Sequence, residues 1–168
     1  MEVFEAVRTD LAVREFADKP IPPDAAHRIV EAAWLSASAA NRQPWHFIAV
    51  DDRDTLRQLG GIARSGPYIA GAPFAVVVCI EDTDFAVSDA SRAVQSMVLT
   101  AWSEGIGSNW AGFRNLEGAN PVLGIPDNLE VLCIVPFGYP ARPVGKGKKQ
   151  RKPFAQVVSR NRFGQPFE

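Results

Sequence analysis

The chain predicts a layered α/β or α+β domain, and three observations carry that reading. Uninterrupted apolar runs at 74–80 and 131–137 have the length of buried strands and are too short for buried helices. Stretches with apolar residues at helical spacing lie between the strand-like runs, so four strands alternate with helices. Glycine and proline punctuate the segment ends, as Gly105 and Gly138-Tyr139-Pro140 do. A helix bundle lacks this alternation.

Taken in order, positions 24–36 carry Ala26, Ile29, Val30, Ala33 and Trp34 at helical spacing, opened by Pro22-Pro23-Asp24. That helix delivers the chain to the loop Ser38-Ala39-Ala40-Asn41-Arg42-Gln43-Pro44-Trp45. Pro44 keeps Gln43 out of helix and sets where a strand over 45–50 begins. A helix is expected over 54–63 and a buried strand over 74–80. Ser88-Asp89 reads as the start of a long helix with Ala90, Ala93, Val94, Met97, Val98, Ala101 and Trp102 on a broad apolar face. Gly105 ends it. A strand over 108–113, a short helix over 119–123 and a buried strand over 131–137 complete the layers. Trp34, Met97 and Trp102 are expected in the core, and His46 on a strand surface. After Pro140 the apolar periodicity fades, so residues 1–140 are expected to form the body and 141–168 a basic loop and C-terminal extension. Phe163 and Phe167 cannot build a core there alone, so the tail either frays or packs on something else, for which a partner subunit is a candidate.

The 168 residues, 46% hydrophobic and 22% charged, suffice for one domain with a real core. A formal net charge of -1 offers no global attraction for nucleic acid or an anionic membrane. Cys79 and Cys133 sit inside apolar runs and read as small buried hydrophobes, reduced and unpaired. His27 and His46, the two histidines, stand in no metal-ligand spacing. No segment is apolar and long enough to span a membrane, and the amino terminus lacks a signal-peptide layout. A cytoplasmic protein is the expectation.

The chemistry-bearing residues are few. No nucleophile stands beside a base, no phosphate-cradling glycine loop is present, and Gly105-Ile106-Gly107 follows a helix instead of opening one. In the loop, Asn41 and Gln43 each offer an acceptor and two donors, a match for the edge of a planar heterocycle. Gln43 bracing its own loop is the simpler alternative. Arg8 and Arg14 early in the chain, and Lys149 and Arg151 late, are suited to an anion attached to such a ring. Lys146, Lys148, Lys149, Arg151 and Lys152 fall within seven residues, a run that would ordinarily be a solvated loop.

Five of these features in order resemble the nitroreductase family of flavin enzymes over nearly the whole chain. They are Arg14-Glu15-Phe16, the stretch from Ala37 to Trp45, Asp89 through Gly105-Ile106-Gly107, Gly138-Tyr139-Pro140 and Lys149-Gln150-Arg151. The resemblance implies an α+β fold with a mixed central sheet flanked by helices. It further implies an obligate intertwined homodimer with FMN bound non-covalently at two interface sites, and NAD(P)H as diffusible electron donor. Ser38, Asn41 and Gln43 would then lie along the pyrimidine end and ribityl chain, and Lys149, Arg151 and Arg14 at the phosphate. The stretch Trp110-Ala111-Gly112-Phe113 resembles the segment whose backbone amides, at Ala111 and Gly112, face the reactive flavin nitrogen. Ser65 occupies a place where some relatives touch the ring.

The chain departs from the family where many members carry a basic pair and a serine ahead of the early arginine. Here those positions are Asp10, Leu11 and Ala12, and either Arg8 one turn earlier or Lys146 and Lys148 are the candidates to compensate. The short sequence between Phe113 and Pro121 implies an open site. The implied activity is ping-pong reduction of quinones, nitroaromatics or an unsaturated metabolite. The alternatives are a flavin storage or sensor protein without turnover, and a specialised relative such as a flavin-consuming synthase, a dehalogenase or a deazaflavin-linked enzyme.

Overall fold

A computed structural model of the chain describes residues 1–145 and 149–167. Lys146 and Lys148 of the basic run lie outside the described residues. The elements follow the order α1 (Val3–Thr9), α2 (Pro23–Trp34), β1 (Trp45–Val50), α3 (Arg53–Ile62), β2 (Phe74–Ile80), α4 (Ala86–Ser103), β3 (Gly107–Ser108), α5 (Ala119–Leu123), β4 (Glu130–Gly138) and α6 (Phe154–Val157). The fold is α+β. The strands form one sheet in the order β1-β2-β4-β3, and each ladder is antiparallel. An isolated parallel bridge between Ala12 and Ser108 lies at the β3 edge.

β2 and β4 are central and covered on both faces, which is why their sequences read as unbroken apolar runs. Val76, Val78, Leu132 and Phe137 face α2 and α4, where Ile29, Ala33, Met97 and Ala101 meet them. Ala75, Val77 and Ile134 face the opposite way, onto Leu56 and Leu59 of α3, Ile69 of the following 3-10 turn, and Ala119 at the start of α5. Cys79 and Cys133 are buried free thiols that belong to opposite layers.

Two glycines fix how the amino-terminal segment crosses the sheet edge. Gly107 and Gly138 pair across β3 and β4. A Cβ on Gly138 would stand 2.7 Å from the Phe16 ring, and one on Gly107 would overlap Val13. Their bare backbones let residues 12–17 lie flush, tied by Val13 N–H to Ser108 O at 2.9 Å and Ala17 N–H to Tyr139 O at 2.8 Å. Arg14 is thereby fixed beside Pro140.

Three expectations change. The strand over 108–113 shrinks to Gly107–Ser108 plus an isolated bridge from Ala111 to Ile134, because Gly112, Arg114 and Asn115 take left-handed backbone angles. Trp34 is 62% exposed: α2 buries the row Ala25, Ile29, Ala33, and Trp34 lies a further 100° round the helix. Asp89 is not the helix cap, since α4 begins at Ala86 and Asp89 is fully buried within its first turn. Met97 is buried as expected, and half-buried Trp102 donates its indole N–H to Thr9 Oγ1 at 2.9 Å, docking α1 on α4. Among the described residues no helix is long and apolar enough to cross a membrane.

Candidate functional site

The loop after α2 has an unusual backbone. Ala40, Asn41 and Gln43 have φ of 50°, 55° and 53°, a left-handed region that non-glycine residues enter at a cost of ~1–2 kcal/mol each. Two anchors hold it. Asp89 Oδ2 accepts the Ala39 N–H at 3.0 Å, and Ser38 Oγ accepts the Gln43 N–H at 2.9 Å. Arg92 stands 3.1 Å from the other Asp89 oxygen. Gln43 Nε2 donates to Asn41 O at 3.0 Å, so part of this side chain braces the loop. Gln43 Oε1 and the Asn41 side-chain amide, both on exposed residues, have no hydrogen-bond partner among the described residues.

On the other side of the sheet, the turn after α3 meets the stretch after β3. Ser65 Oγ accepts the Gly112 N–H at 3.1 Å, and Trp110 Nε1 donates to Gly112 O at 2.6 Å. A Cβ on Gly66 would fall 2.6 Å from that of Ala111, and one on Gly112 would fall 2.8 Å from the Leu116 side chain, so neither position has room for a side chain. The Ala111 N–H donates to Ile134 O at 2.9 Å, and Ala111 is fully buried. The Ala111 amide is thus engaged in the sheet. Gly112, whose N–H is likewise engaged by Ser65 Oγ, stands on the rim of a cavity of about 540 Å³ shared with Ser65, Arg64, Phe113 and Arg114.

The four basic residues have different partners within the chain. Arg8 is exposed and pairs with Glu5 at 2.7 Å. The Glu5 carboxylate raises the Arg8 pKa, and hydrogen bonding from Arg8 holds Glu5 below its usual range. Arg14 lines a cavity of about 230 Å³ over Pro140 together with Arg142. Lys149 donates to Val7 O at 2.7 Å and forms an ion pair with Asp10, so the acid at position 10 is neutralised inside the fold. Arg151 is exposed and donates to its neighbour's carbonyl, Gln150 O, at 2.9 Å. Arg142 escaped the sequence reading although it stands two residues after Gly138-Tyr139-Pro140, and Arg64 although it adjoins Ser65. Among the described residues no hydrogen bond or ion pair joins the Ser38 loop to Ser65 and Gly112, or to these cations.

A four-stranded antiparallel sheet between α2–α4 and α3–α5, with these loops at its margins, is an architecture shared with solved flavoenzymes. The "FMN-dependent Nitroreductase" of Clostridium difficile superposes with a TM-score of 0.87 at 25% identity, covering 95% of this chain and 99% of that one. A Methanothermobacter thermautotrophicus protein named "Putative NADH dehydrogenase/NAD(P)H nitroreductase" is 33% identical over 154 residues, 86% of this chain and 81% of the relative. The "FMN reductase (NADPH)" of Bacillus subtilis is 27% identical over 185 residues, 95% of this chain and 74% of that protein. The nitroreductase family model matches residues 11–83 and 66–139. The chain belongs to the nitroreductase family.

Proposed function

We propose that this protein is an FMN-dependent oxidoreductase that takes electrons from NAD(P)H and passes them to a small acceptor such as a quinone or nitroaromatic in alternating half-reactions. The observation that carries the reading is the strained loop. Three left-handed non-glycine residues, pinned by a buried carboxylate 50 positions away, display amide groups that no packing requirement explains. Relatives named for FMN and NAD(P)H, at 27% and 33% identity, support the same cofactor and donor here.

The donor set fits FMN. Asn41 and the Gln43 carbonyl oxygen suit the ring edge, and Ser38 keeps their backbone in place. Arg14, Arg151 and Lys149 are the cations for the phosphate, joined by Arg142, while Asp10 presents no net repulsion because Lys149 neutralises it. Ser65, Gly112 and Trp110 border the ring. When bound, FMN supplies the hydride and electron transfer, so the chain needs no nucleophile of its own. Two buried, unpaired thiols agree with a reducing, cytoplasmic setting.

We assign the flavin sites to the interface of a homodimer. Val3 and Phe4 on α1, Phe154 and Val157 on α6, and Phe163 beyond it are all exposed, apolar surface that a partner subunit would cover. Residues 1–140 would be the flavin-binding body and 141–168 an arm laid on the partner. Absorbance of the purified protein before and after anaerobic NADPH tests the function: a flavin spectrum bleached by the donor is expected. Absence of flavin absorbance after added FMN refutes it. Sedimentation at micromolar concentration should show a dimer, and a flavin-loaded monomer would contradict the shared sites.

A further inference from the structure

The cavity beside Ser65 and Gly112 has a charge asymmetry that holding a flavin does not use. Its walls carry two guanidinium groups, Arg64 and Arg114, and no carboxylate among the described residues. Arg114 is tethered loosely, with Nε 3.5 Å from Glu130 Oε2 and both side chains more than 40% exposed, so its remaining N–H groups stay available. Among the described residues Arg64 forms no salt bridge.

The backbone aims these groups at the cavity. Gly112, Arg114 and Asn115, all left-handed, fold the chain back on itself, and the Arg114 N–H is tied to Leu132 O at 2.9 Å. Between them Phe113 is exposed, its ring stacked 6.4 Å from Trp110 at an interplanar angle of 28°. An open aromatic face beside two cations and the Asn115 amide is complementary to one kind of molecule, a flat ring bearing an anion. A volume of about 540 Å³ admits a one- or two-ring compound.

We propose that this cavity is the acceptor site and that it selects planar acceptors carrying a carboxylate or phosphate, with Arg64 and Arg114 receiving the anion and Phe113 the ring. The inference rests on the flavin reductase reading for the word acceptor, and on the cavity alone for the charge preference. The phosphates of a nicotinamide donor share this chemistry, and the test separates the two sources.

The probes are 4-nitrobenzoate and 4-nitrobenzamide, equal in ring and nitro group and different in charge. Calorimetric titration of the FMN-loaded protein should give about fivefold tighter binding of the benzoate, the size expected of two partly exposed arginine contacts. The preference should shrink with added salt and fall to near unity in the double variant Arg64→Gln, Arg114→Gln. In turnover, the ratio of KM values for the two probes should move in step. Equal binding by the wild type, or a preference that survives the double substitution, overturns the proposal. So does a defect that appears as slower flavin reduction by NADPH with the benzoate preference intact, which would give the arginines to the donor. If the protein takes up no FMN, the functional reading fails on its own. The same titration of the flavin-free protein then decides the charge preference, supported if the double variant abolishes it and overturned if the wild type has none.

Discussion

Replacing Asp89 should loosen the Ser38 loop more than any single change inside it. The carboxylate is fully buried and accepts the Ala39 N–H at 3.0 Å. A hydrogen bond to a buried charged acceptor contributes ~1.5–3 kcal/mol, and its loss leaves a polar N–H without a partner. The pairing with Arg92 adds little, since that side chain is 56% exposed and can turn to water. Asp89→Ala should therefore cost about 3 kcal/mol. Asp89→Asn keeps an acceptor oxygen for the Ala39 N–H and loses only the charge, so about half that cost is expected. Urea denaturation measures the totals. Native-state hydrogen exchange localises them: about 3 kcal/mol corresponds to roughly a hundredfold faster exchange at Ala39. Flavin retention should fall in parallel, because Ala40, Asn41 and Gln43 would be free to leave the left-handed region. An Ala39 amide that exchanges as before in Asp89→Ala, or an Asn variant as damaged as the Ala variant, would refute the anchoring role.

Gly107→Ala should destabilise by about 3 kcal/mol, seen as a lowered urea midpoint, because the new methyl overlaps Val13 where residues 12–17 lie on the sheet. The Asp10–Lys149 pair, each side chain about one-fifth exposed, should show a coupling of about 1–2 kcal/mol in a double-mutant cycle. In that cycle Lys149→Met alone should be worse than Lys149→Met with Asp10→Asn. Burial pushes the Cys79 thiol up to about 11 from its ordinary 9.0. The folded state keeps the proton that the unfolded chain releases, so this contribution is whole below pH 9.0 and is lost as pH rises toward about 11. A urea midpoint followed over that range should fall, and fall less in Cys79→Val. Arg28 donates twice to Glu104 at 2.8 Å and holds that carboxyl below its ordinary 4.5, so the sign reverses. The clasp between α2 and the end of α4 is present above pH 4.5 and weakens as acid carries the pH through the lowered value, which the acid limb of the same titration would register.

What was legible in the sequence follows from how local each cause is. β2 and β4 must be apolar on both faces, so their runs announce buried strands without any knowledge of neighbours. α3, expected over 54–63, runs over Arg53–Ile62, and its start is set within one turn, where Asp52 accepts the Thr55 N–H at 2.8 Å. Trp34 could not be placed, because the choice between two adjacent helical rows depends on what α4 offers. The strand over 108–113 failed for a similar reason. Its composition permits a strand, and its end is set by the touch of Gly66 on Ala111 and by the left-handed turn at Gly112. In the candidate site, the polar loop was visible as an excess of amide groups before a proline. Its anchor was not, since Asp89 and Ala39 are 50 residues apart. Lys149 and Asp10 are separated by 139.

That last pair changes the meaning of a departure from the family. An acid at position 10, where the family resemblance implies a cation, reads in sequence as a charge facing a bound phosphate. In the fold it faces Lys149, which also donates to Val7 O at 2.7 Å and so ties the late basic segment to the end of α1. The pair is closer to neutral than either residue alone, and the carbonyl bond uses a further donor of the ammonium group. On the flavin reading Lys149 keeps one ammonium donor for the phosphate, and the net positive charge comes from Arg14, Arg142 and Arg151, of which the first two already share a cavity. Arg142 is itself only weakly restrained, with Nε 3.4 Å from a Glu15 carboxylate that is largely exposed. Moving the cationic centre from the start of the chain to the turn after Pro140 keeps the anion site beside residues 12–17, where Gly107 and Gly138 hold the backbone flush. The substitution at position 10 is thereby compatible with binding, because the geometry that positions Arg14 does not depend on it.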